Sequence, residues 1–238
     1  MGLRALRVGS SVMAVTLAAA LVPLWSQEPD PAAVQERVAQ LKQAIAQNQA
    51  KLKKYTWLQT TTVSVKDETK KEQQQQCQYG PDGKVMKTPV GPPPPPPEQP
   101  RGLKGKIVGK KIEEMKDYIE RSKTLISHYV PPEGDKIQAV MQAGKANVTN
   151  VGGIATVVLA DYYKPGDKVT FSLDTATKKL QSYDVNSYLD DPEKDVVTMT
   201  NQFASLPDGT NYLQQTVLDL QAKQIKITST NGGYSQLN

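Results

Sequence analysis

Apolar positions recur with a helical period in the first part of the chain. Asp30 and Pro31 form a typical helix start, because aspartate caps the first turn and proline suits the first helical position. The apolar residues that follow fall on one face of the predicted helix: Val34, Val38, Leu41, Ile45 and Leu52. Because that face is narrow, the helix is expected to lie on another element rather than to be surrounded.

After this helix the period changes to alternation, which predicts strands. Residues 56–66 are rich in Thr, Val and Trp and predict the first strand. The polar segment EQQQQCQY (residues 72–79) predicts a strand or a sheet edge, and a GPDG turn joins it to a short strand at residues 84–88. The segment GPPPPPPEQP (residues 91–100) can neither pair in a sheet nor continue a helix. It predicts a stiff exposed spacer, with a ligand for proline-binding modules as the alternative.

Two amphipathic helices are predicted in the middle of the chain. The longer one, at residues 105–129, is stopped by Pro131 and Pro132. The shorter one runs to Ala143 and takes Asp135 as its cap. Apolar side chains of the longer helix share one side: Ile112, Met115, Ile119 and Ile126.

The rest of the chain alternates between short strands and turns. The predicted strands are residues 154–163, 169–174, 180–189, 196–204, 212–222 and 224–230. Their links are short, so neighbouring strands must be antiparallel. One face of these strands is apolar and the other carries Thr, Gln, Asn, Lys and Ser, which predicts a sheet with one dry and one wet face.

A sheet of about nine strands coils through its twist, and its apolar side must be covered. The amphipathic helices are the available cover. The sequence therefore predicts an α+β fold, a curved antiparallel sheet (an incomplete β-barrel) with amphipathic helices covering the concave face. A two-sheet sandwich is the alternative, but it would leave the apolar helix stripes without a partner.

The N-terminus has the pattern of an export signal. Arg4 and Arg7 precede an apolar run from Val12 to Leu24 that is short for a membrane span. Cleavage is expected after Ser26, with Ala20 as the alternative site; an uncleaved segment would act as a membrane anchor. We therefore expect a signal peptide at 1–26, one domain at 27–238 with an exposed Pro-rich loop at 90–105, and export from the cytoplasm.

Composition narrows the function classes. One Cys and one His exclude a disulfide framework, a CxxC redox pair and His-pair metal sites. The net charge is +5, and most of the positive charges are scattered lysines. The arginines that remain after signal cleavage are Arg37, Arg101 and Arg121. Nucleic-acid binding usually requires clustered charge and arginine, so no nucleic-acid partner is expected. No integral membrane span is expected after signal cleavage.

Candidate chemistry is sparse. The acidic turn at residues 190–195 contains Asp190, Asp191, Glu193 and Asp195, but it lacks the glycine and spacing of a calcium loop and indicates a solvated turn. Cys77 and His128 have no catalytic partner beside them in the sequence. We therefore predict no catalytic residues, no metal and no cofactor, and a protein that is not an enzyme.

The order of elements resembles that of the periplasmic outer-membrane lipoprotein carrier and sorting (LolA-like) superfamily. The similarity lies in the export signal, the strand YTWLQTTTVSV, the helices inserted in mid-chain and the closing hairpins. Asp174 and Thr177 match a D-x-x-T turn, and Pro207 and Gly209 match a P-x-G turn. The resemblance implies a half-barrel with helical lids over a hydrophobic cavity that takes acyl chains. It also implies that export ends in the periplasm of a Gram-negative-type bacterium.

Two functions follow from the sequence. The first is an exported carrier or binding protein that takes a lipid or acyl group, or an acylated protein, in a cavity under the helices. Its candidate lining residues are Trp57, Phe171, Met199, Phe203 and Leu218. The alternative is an envelope structural or protein-interaction module whose core is filled by its own side chains and whose working surface is the polar strand edge or the proline segment.

Overall fold

The structure is a computed structural model that describes residue 43, residues 46–91 and residues 102–237, with side chains from Ile107 onward in the last range. The predicted signal peptide, the helix start at Asp30 and Pro31, and residues 92–100 of the proline segment lie outside the described residues. The described part is an α+β fold with helical residues at 46–52 (α1), Gly102–Ser127 (α2) and Gly134–Gln142 (α3).

Ten strands of the described residues form one antiparallel sheet. They are β1 (Tyr55–Val65), β2 (Glu68–Tyr79), β3 (Val85–Pro89), β4 (Ala146–Val151), β5 (Ile154–Ala160), β6 (Lys168–Asp174), β7 (Leu180–Tyr188), β8 (Val196–Ser205), β9 (Asn211–Leu220) and β10 (Ile225–Gln236). Their order is β3-β2-β1-β10-β9-β8-β7-β6-β5-β4, so among the described strands β3 and β4 are the two edges and the sheet is open. The prediction of an antiparallel sheet that does not close is confirmed.

Short turns impose this antiparallel order. Between β6 and β7, the Asp174 carboxylate accepts hydrogen bonds from the backbone N–H groups of Ala176 and Thr177, at 3.0 and 2.7 Å. These bonds lower the pKa of Asp174, because they stabilise its charged form. Between β8 and β9, Gly209 adopts a φ of +82°, which favours glycine. Each turn reverses the chain within a few residues.

One face of the sheet is dry. A row of apolar cross-strand neighbours runs through Met199, Leu218, Ile227 and Val63 on four successive strands, β8, β9, β10 and β1. The alternate positions on these strands are mostly threonine, serine and other polar residues. The dry face must therefore be covered by other parts of the chain.

Burial along α2 falls from its C-terminal end to its N-terminal end. Tyr118, Leu125 and Ile126 belong to the same buried cluster as side chains of the sheet. At the other end, Ile107 is 62% exposed and Ile112 is 46% exposed. The C-terminal half of α2 therefore packs in the core, whereas its N-terminal half has much less cover.

A buried carboxylate fixes the C-terminal end of α2. The Asp167 side chain is fully buried and accepts hydrogen bonds from the backbone N–H groups of Tyr162, Tyr163 and Lys164, at 2.6, 3.1 and 2.8 Å. The hydroxyl of Tyr129, two residues after α2, donates a fourth bond at 2.6 Å. A buried charge is tolerated only when it is so compensated, and here the compensation joins the helix end to the β5–β6 loop.

Tyr129 is also hydrogen-bonded to residues of the sheet. The Tyr183 hydroxyl on β7 donates to the Tyr129 carbonyl at 2.6 Å, and Ser187 lies 2.8 Å from the Tyr129 hydroxyl. Burial, together with the bond to Asp167, raises the pKa of Tyr129. Its phenol therefore stays protonated and can donate to the carboxylate.

The first helix docks through its last turns. The Asn48 side chain donates to the carbonyl of Asn211 at 2.9 Å and accepts from the N–H of the same residue at 2.7 Å, so it pairs with the first residue of β9 as a neighbouring strand would. Leu52 is buried. The predicted docking of this helix is therefore observed at its described end.

The structure corrects several predicted boundaries. Strand β4, with the sequence ANVTNV, was not predicted; it pairs with β5 across a Gly152-Gly153 turn whose two positive φ angles suit glycine. The strand predicted to end at residue 163 ends at Ala160. Asp135 does not cap α3, because the N-cap is Glu133 and Asp135 lies in the first turn.

We predict that Tyr129→Phe lowers the free energy of unfolding by about 1.5–3 kcal/mol, because the buried Asp167 charge loses its hydroxyl donor. Chemical denaturation measures the effect. Tyr163→Phe is the matched control, since the Tyr163 side chain is 42% exposed. Equal stability of the two variants would show that the bond to Asp167 contributes little.

Candidate functional site

An apolar cavity of about 460 Å³ lies between α2 and the strands β1, β2 and β10. Its volume falls within the range of about 300–1,000 Å³ that is usual for small-molecule sites. The apolar lining comes from both sides: Val63, Val65, Ile225 and Ile227 on the strands, and Ile112, Met115 and Ile119 on α2.

The local sequence explains both walls. Val63 pairs with Ile227 and Val65 pairs with Ile225, so the four strand residues form one compact apolar patch. On α2, the spacings of three and four residues that separate Ile112, Met115 and Ile119 place them on one helix face. On α2 the lining extends from Ile112 to Lys123, so the cavity lies between the exposed start of the helix and its buried end.

Lysines surround the apolar lining. Lys70, Lys71, Lys116 and Lys123 line the cavity, with Glu120 as the acidic residue among its described lining. Lys70 pairs with Glu68, and Lys123 pairs with Glu120. Lys71 and Lys116 make no ion pair with an acidic side chain in the part of the chain that the structure describes. The cavity therefore combines an apolar interior with a net positive rim.

Gln75, a polar residue of the cavity lining, connects it to a half-buried lysine and a buried cysteine. Gln75 lines the cavity and pairs with Gln59, whose side-chain oxygen accepts a hydrogen bond from Lys87 Nζ at 2.6 Å. Lys87 pairs with Cys77 across β2 and β3. Burial lowers the pKa of Lys87 and raises the pKa of Cys77. The thiol is fully buried and held in its unreactive protonated form.

The five predicted lining residues lie on the sheet, but none of them lines this cavity. Met199 and Leu218 are paired neighbours on β8 and β9, and Leu218 pairs in turn with Ile227, which does line it. Phe171 is buried against another aromatic ring of the sheet, with ring centroids 4.9 Å apart. Phe203 is partly buried against the same core. These four therefore belong to, or pack against, the apolar core cluster that also contains the lining residues Ile225 and Ile227.

Trp57 belongs to a separate aromatic group at the other end of β1. Its ring stacks on Tyr234 with centroids 5.6 Å apart, and its indole nitrogen donates to the Asn231 side chain at 3.1 Å. Tyr55, Tyr79 and Tyr212 complete the group. Contact of Trp57, or of the other four, with a ligand stays a prediction.

The residues that line the cavity belong to apolar stripes that are visible in the sequence, but the sequence does not indicate that these stripes form a site. The stripe of α2 and the alternation of β1 and β10 are both visible in the sequence. Their contact depends on the pairing of the first and last strands, β1 with β10, which no local pattern specifies.

The acidic turn between β7 and β8 is tied to α2. Arg121 donates two hydrogen bonds to the Asp190 carboxylate, at 2.8 and 2.7 Å. The Tyr118 hydroxyl approaches Asp195 at 3.4 Å. Within the described ranges, no group of three or more His, Cys, Asp or Glu side chains is placed to hold a metal ion. The turn is therefore a further attachment point for the helix.

Comparison of the chain with protein-family models, curated proteins and solved structures gives no match. The resemblance to the lipoprotein carrier superfamily therefore stays a prediction from element order. Among the described helices, none combines the length and the hydropathy that crossing a membrane requires.

Proposed function

We propose that the protein is an exported, non-enzymatic carrier or binding protein that takes an acyl chain in the cavity between α2 and the sheet. The observation that carries the proposal is the apolar cavity of about 460 Å³, enclosed by aliphatic side chains of two separate elements. Such a volume suits a flexible hydrocarbon chain, which needs apolar walls and few polar contacts.

In this proposal α2 is the cover of the apolar face over β1, β2 and β10. Its C-terminal half is anchored by the buried Tyr129–Asp167 bond and by the Arg121–Asp190 ion pair. Its N-terminal half is less buried, which allows a chain to enter between helix and sheet. α3 contributes Ile137 and Val140 to the core beside β5, away from this opening.

The expected affinity follows from the hydrocarbon buried. Each methylene transferred from water contributes about 0.8 kcal/mol, so a 12-carbon chain contributes roughly 10 kcal/mol gross. Ordering the chain and losing its free motion costs several kcal/mol. Binding is therefore expected in the micromolar range, tight enough to hold an acyl group and weak enough to release it.

The positive rim favours an acyl ligand with an anionic head group. Lys71 and Lys116 face the cavity from the sheet and from the helix. A carboxylate or phosphate at the mouth would complement both ammonium groups, while its chain occupies the apolar interior. The unfilled space in the cavity also favours this function over the alternative of an interaction module with a filled core.

We predict that Met115→Trp weakens binding of dodecanoic acid at least tenfold, because the indole occupies space that the acyl chain needs. Displacement of a lipophilic fluorescent dye from the full chain measures binding. Met86→Trp is the matched control, since Met86 lies on β3 and is exposed.

Native mass spectrometry of the protein recovered from the cell envelope tests the same proposal directly. A lipid-sized mass adduct is expected on the wild-type protein and on Met86→Trp, and a smaller fraction of adduct on Met115→Trp. Absence of any adduct, together with no dye enhancement by the wild-type protein, would end the proposal.

We predict that the double variant Lys71→Gln, Lys116→Gln weakens binding of dodecanoic acid about tenfold and leaves binding of dodecanol unchanged. The acid loses its charge complement, whereas the alcohol depends on the apolar walls alone. Titration of both ligands against the same dye measures the ratio. A parallel loss for acid and alcohol would show that the lysines shape the cavity and do not recognise the head group.

A further inference from the structure

The N-terminal half of α2 presents apolar side chains to solvent. Ile107, Val108 and Ile112 are 62%, 40% and 46% exposed. Val108 and Ile112 continue the stripe that lines the cavity at Met115 and is buried at Ile126. The same apolar face of one helix thus passes from the core, over the cavity, and into solvent.

Charge is segregated along the same helix. Residues 102–112, GLKGKIVGKKI, contain four lysines and no acidic residue, whereas acidic residues begin at Glu113. Lys110 and Lys111 are exposed and form no ion pair with an acidic side chain among the residues that the structure describes. The exposed apolar residues therefore lie within a purely basic stretch.

Exposed aliphatic residues beside unpaired lysines are the combination that binds anionic bilayers. The aliphatic side chains enter the boundary between head groups and acyl chains, and the lysines remain at the charged surface. A protein partner would need a groove shaped to receive this helix. A bilayer surface needs no such groove and accepts a convex helix of this kind.

We propose that the N-terminal half of α2 docks on the surface of an anionic lipid bilayer, with Ile107 and Val108 inserted and Lys110 and Lys111 against the head groups. Ile112 lines the cavity and is also exposed, so docking brings the cavity mouth to the bilayer. The use of this contact to load or deliver an acyl chain rests on the proposed function; the docking itself does not.

Site-specific fluorescence tests the docking. Cys77 is fully buried, so in the variants Ile107→Cys and Val151→Cys an environment-sensitive thiol dye attaches to the introduced cysteine. Val151 is the control position, because it is 75% exposed at the opposite end of the sheet, on the edge strand β4. Vesicles with equal parts phosphatidylcholine and phosphatidylglycerol are expected to shift the emission at 107 to the blue and to leave the emission at 151 unchanged.

Vesicle flotation of the full chain measures how bilayer binding depends on the lysine charges. Lys110→Gln, Lys111→Gln is expected to weaken binding to the anionic vesicles about thirtyfold at low salt, from the loss of two charges near the surface. Lys53→Gln, Lys54→Gln is the matched control, an adjacent pair of exposed lysines at the end of α1, and is expected to bind as the wild type does.

No shift at position 107, equal shifts at 107 and 151, or equal loss of binding in the two lysine pairs would overturn the docking. The acyl-binding titrations are made without vesicles. A blue shift at 107 with no acyl binding in solution would therefore keep the docking and remove the carrier function.

Discussion

The bond between the Tyr129 hydroxyl and the Asp167 carboxylate determines where α2 can lie. Asp167 is fully buried, and its charge is compatible with the core because four donors converge on it, one of which follows α2. The Arg121–Asp190 ion pair attaches α2 at a second point, about two turns before Tyr129. Because this ion pair is exposed, it contributes less to stability than the buried bond. Both contacts hold the C-terminal half of α2, so the rest of the helix extends from a fixed end.

The cavity follows from this one-ended attachment. The apolar stripe of α2 is packed tightly near Tyr129 and loosens toward Ile112, where the helix and strands β1 and β10 enclose unfilled space. Side chains that line such a space lose dispersion contacts on one side, which lowers the stability of the empty protein. A hydrocarbon chain restores those contacts without requiring polar partners. The acyl ligand that we propose and the lysines of the lining are therefore compatible with one site.

Local patterns predicted most of the elements, because turns and alternation are short-range. The β6–β7 and β8–β9 hairpins follow from Asp174 and Gly209, and the α2 stripe follows from helical spacing. Strand β4 is not predicted from the sequence, because ANVTNV is largely polar and lies at the edge of the sheet. The Gly152-Gly153 pair is the sequence feature that indicates a turn between β4 and β5. The position of the cavity is not predictable from local patterns for another reason. It requires β10 to pair with β1 and Tyr129 to reach Asp167, and both contacts join residues far apart in sequence. The sequence therefore predicts large apolar residues such as Phe171 as lining, whereas in the structure Phe171 is buried in the core.

Amide hydrogen exchange of the full chain, with and without dodecanoic acid, tests most directly whether α2 is anchored at one end over an open acyl site. The account predicts slow exchange at residues 118–127, faster exchange at residues 107–116, and slower exchange in the latter, and in β1 and β10, once the acid is bound. Uniform protection along α2, or an exchange pattern that excess acid does not change, would contradict it.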